Sequence, residues 1–100
     1  MKVTLVDTNC PTLVKVEGEV NTLNAAEFQG SVEEIIDANE QDITLDFSAV
    51  EYVSSAGLRA LFSLAQKVMG IDCAITLKSV QPTVMEVLEF SGFDEFFEFE

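Results

Sequence analysis

The run Ser54-Ser55-Ala56-Gly57 stands immediately before an apolar helical stripe. A serine in that place caps a helix, because its oxygen accepts a bond from an orphan backbone N–H. A helix start also has spare donors and the positive end of the dipole, so it favours an added anion. A hydroxyl beside small residues is open to a kinase, and phosphorylation adds about -1.5 to -2 charges. Gly57 in the first turn costs helix stability but lets another backbone approach closely. Plain capping of a structural helix and a modifiable anion site both fit these residues.

Catalysis fits them less well. A serine nucleophile needs a base to activate it. The chain has no histidine, and neither Lys67 nor Lys78 belongs to a Ser-x-x-Lys pattern. Cys10 and Cys73 lie far apart and form no metal-type spacing. Asp94-Glu95 and Glu98 to Glu100 read as a solvated acidic edge rather than a ligand cluster. No metal and no cofactor is expected, and the chain reads as a non-enzyme. An acyl-phosphate role for Asp46 would require an acidic pair after the first strand and a late lysine. Only Asp7 follows the first strand, and the last strand has no lysine.

The balance of charge narrows the partners. There are 18 acidic residues against five basic ones, a net charge of -13. Phosphate backbones are bound by Lys and Arg that displace counterions, so direct nucleic-acid binding is disfavoured. Anionic membrane surfaces are disfavoured for the same reason. A partner with a basic face would be steered toward the chain. No run approaches the ~20 apolar residues of a membrane span. Asp7 interrupts the only apolar stretch near the N-terminus, which argues against a signal peptide. A cytoplasmic location with reduced thiols is expected.

The elements that must position the serines follow from patterning. With 100 residues, 48% of them hydrophobic, residues 1–100 are expected to form a single domain with a real core. Residues 2–7 and 12–17 read as an antiparallel hairpin. From Asn24, the residues Ala25, Phe28, Val32, Ile35 and Ile36 fall on one helical stripe ending near Asn39. Asn24 and Glu27 resemble a capping box. Residues 42–47 form a strand, and 48–54 a turn that becomes extended at Tyr52-Val53. A helix over 56–69 follows, with Leu58, Leu61, Phe62, Ala65 and Met69 inward and Gly70 as its stop. A strand over 72–77 precedes a third helix with Pro82 at its first position. Val84, Val87, Leu88 and Phe90 form the inward face there, and Gly92 ends it. The tail reads as a last strand with Phe96 and either Phe97 or Phe99 inside. The predicted class is α/β, a mixed sheet covered by helices, in the order β-β-α-β-α-β-α-β.

The stretch ITLDFSAVEYVSSAGLRALFSLAQ resembles the signature of the STAS domain, the fold of bacterial anti-sigma-factor antagonists. Ile43 to Asp46 matches the strand that ends in Asp, and Ser48 the serine after it. Tyr52-Val53 matches the aromatic–apolar pair, and Gly57-Leu58 the Gly-Leu of the motif. Gly18-Glu19-Val20-Asn21 resembles a Gly-Glu-Leu-Asp run after the second strand. The resemblance places the phosphoacceptor on Ser55. Ser54 falls where the family has Asp, Ala56 on its second Ser or Thr, and Asn21 on its other acid.

The resemblance implies a switch. The unmodified chain would bind an anti-sigma factor that is also a serine kinase, so regulating transcription indirectly. Phosphorylation of Ser55 would break that complex, and a serine phosphatase would restore it. The implied contact residues are Asn21, Asp46, Ser54, Ser55, Ala56, Gly57, Leu58 and Arg59. Arg59, four residues after Ser55, would meet a phosphate or a partner carboxylate, or be a solvated helix residue. The alternative is a non-phosphorylated STAS interaction module, such as the cytoplasmic subunit of a lipid-transport ABC system.

Overall fold

The computed structural model describes residues 1–100. Its strands are β1 (Lys2–Asp7), β2 (Thr12–Val20), β3 (Ile43–Val53), β4 (Ile75–Lys78) and β5 (Glu98–Phe99). Its helices are α1 (Ala25–Asn39), α2 (Ser55–Met69) and α3 (Pro82–Ser91), followed by a 3-10 turn at Phe93–Phe96. The expected order β-β-α-β-α-β-α-β is the observed one.

The sheet runs β1-β2-β3-β4-β5, with β1 antiparallel to β2 and every later pair parallel. Right-handed crossovers that always step in one direction put all three helices on one face. Burial agrees. Val14, Leu45 and Leu77 share a row and are fully buried, as are Val16 and Phe47 farther along. The next row, Leu13–Thr44–Thr76, points to the other face and is mostly polar.

β3 is longer than its sequence suggests. The expected turn over 48–54 is strand as far as Val53, paired along β2. The partner of Lys15 is Asp46 but that of Glu17 is Ala49, and the partner of Gly18 is Val50 but that of Glu19 is Tyr52. β3 therefore carries one extra residue at each of two bulges. Each bulge shifts the alternation, so the buried positions run Phe47, Val50, Val53 rather than every second residue. That broken period looks like a turn in sequence. Gly18, at φ 94°, lies opposite the second bulge.

Other expectations change in detail. Asn24 forms no capping box, since its side chain accepts the Asn21 N–H and donates to the Glu19 carbonyl instead. In α2, Met69 is exposed and Phe62 half-buried, while Leu64 and Val68 are inside. Phe62 instead stacks on Phe93 at 5.1 Å and meets Phe96 edge-on at 4.9 Å. β4 begins at Ile75 rather than Asp72, because Asp72 is left-handed and Cys73 closes a turn onto Val68. α3 buries Val84 and Leu88 but leaves Val87 and Phe90 outside. Phe97 is the buried tail residue, and Phe96 and Phe99 are partly exposed.

Candidate functional site at the start of helix α2

β2, β3 and β4 are parallel, so their C-terminal ends share one pole. The β2–α1 loop, the start of α2 and the start of α3 all lie there. The pole is held by backbone bonds: Ser54 N–H donates to the Val20 carbonyl at 2.8 Å. This bond ties the start of α2 to the end of β2, directly beside Asn21.

The serine pair divides at this point. Ser54 is 7% exposed, and its hydroxyl accepts the Gly57 N–H at 3.1 Å. It is the N-cap. Ser55 opens the helix and is exposed. Ala56 is half-buried, and Gly57 and Leu58 are buried. Arg59 is exposed, one helical turn from Ser55, and forms no ion pair.

Gly57 is where α2 touches the strand ends. A Cβ there would lie 2.8 Å from Val53 Cγ1, 2.9 Å from the Val20 carbonyl oxygen and 3.0 Å from Val20 Cγ1. Only glycine admits this approach, which sets the depth at which Ser54 and Ser55 sit.

Asn21 organises the loop beside them. Its Oδ1 accepts the N–H groups of Leu23, at 3.0 Å, and Asn24, at 3.1 Å. In return the Asn24 Oδ1 accepts the Asn21 N–H at 2.8 Å. Aspartate makes the same kind of turn. The loop lifts Leu23 into solvent at 95% exposure, and Tyr52 at the end of β3 is 51% exposed. Leu23 was not singled out from sequence. Its only signal was one apolar residue inside the polar loop Asn21-Thr22-Leu23-Asn24.

Asp46 is not part of this group. The segment Phe47–Val53 separates it from α2, and it stands mid-sheet between Lys15 and Lys78 on the face away from the helices. Its carboxylate accepts the Ser48 N–H at 2.9 Å, across the first bulge. Burial raises its pKa, but the Ser48 bonds and the two lysines outweigh this and hold it below the usual 3.8. The Asp-x-Ser part of the motif thus shapes the strand. The start of α2 borders neither of the two surface hollows. One, of about 270 Å³, lies on the sheet at the β1–β2 turn and Lys78, and the other lies on α3.

A STAS domain model matches residues 2–100. This chain belongs to the STAS domain family. It is 31% identical over 93 residues to a protein of Bordetella bronchiseptica named as an anti-sigma factor antagonist, BtrV, covering 93% of this chain and 80% of that one. Solved structures share the fold. An anti-sigma factor antagonist from Mycobacterium paratuberculosis superposes with a TM-score of 0.80 at 21% identity, covering 98% of this chain and 83% of that one. The unphosphorylated form of the anti-sigma factor antagonist SpoIIAA gives 0.74 at 14% identity, covering 99% and 87%. Within this STAS domain no helix is long and apolar enough to cross a membrane.

Proposed function

We propose that this STAS domain is an anti-sigma-factor antagonist that docks through the pole formed by the start of α2 and the β2–α1 loop. Its partner is an anti-sigma factor with serine kinase activity, and phosphorylation of Ser55 ends the contact. A serine phosphatase reverses the change. The observation that carries this reading is the division of the serine pair. One hydroxyl is buried and spent on the cap, and the next is exposed at the positive end of a helix. The name of the Bordetella relative supports the partner class.

Two acids of the family motif are absent, yet their geometric tasks are done. Ser54 caps as an Asp would, and Asn21 turns the loop as an Asp would. What is lost is negative charge around Ser55. A phosphate would therefore be the main new charge at the contact. A dianion in a dry interface costs several kcal/mol unless a cation answers it. Arg59 is the cation on the same helix face.

The test uses the full chain with a candidate anti-sigma factor kinase and ATP. Phosphate is expected on Ser55 by mass spectrometry. Ser55→Ala should keep partner binding and Ser55→Asp should weaken it at least about tenfold, or ~1.4 kcal/mol. Equal binding by the two variants would sink the switch. The loss of charge at Asn21 and Ser54 also suits a static STAS module in a larger assembly, such as a lipid-transport ABC system. Capture of a transporter ATPase with no modification of Ser55 would decide for that reading.

A further inference from the structure

α3 carries large apolar residues beyond those that face the core. Val84 and Leu88 point into the core. Farther round the helix Val87 is 38% and Phe90 95% exposed. Thr83, Glu86, Val87 and Phe90 fall at spacings of three and four, so they share one outward face. Together they border an open depression of about 370 Å³. Scattered exposed apolar residues are ordinary. Two large apolar side chains one turn apart on the outward face of a short helix are less so, because the core uses only one stripe.

The charges on this helix have one sign. α3 contains Glu86 and Glu89 and no lysine or arginine. Asp94 and Glu95 follow just beyond it. We propose that the outer face of α3 is a docking site for an amphipathic helix of another protein, whose apolar residues are flanked by Lys or Arg. Such a helix would lay its apolar edge along Val87 and Phe90 and set its cations against Glu86 and Glu89. A second copy of this chain fits poorly. A symmetric contact between two copies of α3 would set the acids Glu86 and Glu89 of one against those of the other with no lysine or arginine on either helix, and like charges across an interface are repulsive. None of Ser54 to Arg59 borders this face. A phosphate on Ser55 would therefore not stand among the residues that line this face.

The experiment uses the full chain and two synthetic amphipathic helices, one of Leu and Lys and one of Leu and Glu. Amide shifts in proton–nitrogen spectra locate binding, and titration measures it. The Leu/Lys helix is expected to shift the amides of Thr83 to Phe90, and the Leu/Glu helix to leave them unchanged. Phe90→Ser should weaken the Leu/Lys helix at least about tenfold, and Ser55→Asp should leave its affinity unchanged. Phe90 is bare, so the variant should keep the wild-type spectrum outside α3. Binding that maps to Leu23 and Tyr52 instead would overturn the proposal, as would affinity unaffected by Phe90→Ser. A concentration-dependent dimer abolished by Phe90→Ser would assign the face to a second copy and overturn it too.

Discussion

The Gly57 N–H donates to the Ser54 hydroxyl at 3.1 Å, closing the first turn of α2 over a buried oxygen. The bond separates two adjacent residues of the same type. Ser54→Ala should cost about 1 kcal/mol, because it removes the cap. Ser55→Ala should stay within about 0.5 kcal/mol, as surface changes do. Ser54→Asp should recover most of the loss, since Asp caps equally well and its charge suits the helix start. Urea unfolding of the three variants checks the order. A larger loss at Ser55 than at Ser54 would reverse the assignment.

Gly57→Ala sets two effects against each other. Alanine gains about 1 kcal/mol of helix propensity over glycine. The new Cβ would lie 2.9 Å from the Val20 carbonyl oxygen, which is backbone and also accepts from Ser54. Overpacking of this kind costs typically about 1–3 kcal/mol. Strain should win, so the variant is expected to be less stable by about 1–2 kcal/mol. It should also weaken partner binding, because α2 must lift off the strand ends. A thermal melt showing a more stable variant would mean that α2 has room to move.

Much of this was legible in the sequence, and the failures share a cause. α1, α2 and the Pro82 start of α3 announced themselves through periodicity and end signals. The second half of β3 did not, because its two bulges break the period that marks a strand. Val87 and Phe90 were assigned inward because apolar periodicity does not say which of two stripes faces the core. Ser55 was placed by the register of the family motif, whereas the buried role of Ser54 needed coordinates. Asp46 was grouped with Ser55 by motif proximity, and the length of β3 carries it away.

Asn21 should matter to stability through its oxygen and not through its neutrality. Asn21→Ala removes the acceptor for the Leu23 and Asn24 N–H groups. The expected cost is about 1 kcal/mol, since net hydrogen-bond contributions cluster there. Asn21→Asp keeps the acceptor and should fall within about 0.5 kcal/mol of wild type. Hydrogen exchange of the Leu23 and Asn24 amides gives the local readout. Slow exchange in Asn21→Ala would show that the side chain does not hold the loop.

Asp46 should make stability depend on acid. Burial pushes its carboxyl up, but the backbone and hydroxyl of Ser48, with Lys15 and Lys78, bring the net value below 3.8. A group whose pKa is depressed by folding stabilises the fold above its unfolded value. That contribution is lost as pH falls through the unfolded value and on through the folded one. Asp46→Asn can still accept the Ser48 N–H, so the variant removes charge while keeping the bond across the bulge. It should be less stable than wild type at about pH 6.5, with the gap narrower at about pH 3, below the unfolded value, as the wild-type carboxyl takes up its proton. The two proteins differ in no other ionisable group, so the difference reads Asp46. Urea midpoints of the pair at the two pH values measure it. A gap that is the same at both would show that folding does not lower this carboxyl, and that neither Ser48 nor the two lysines favours its charged form.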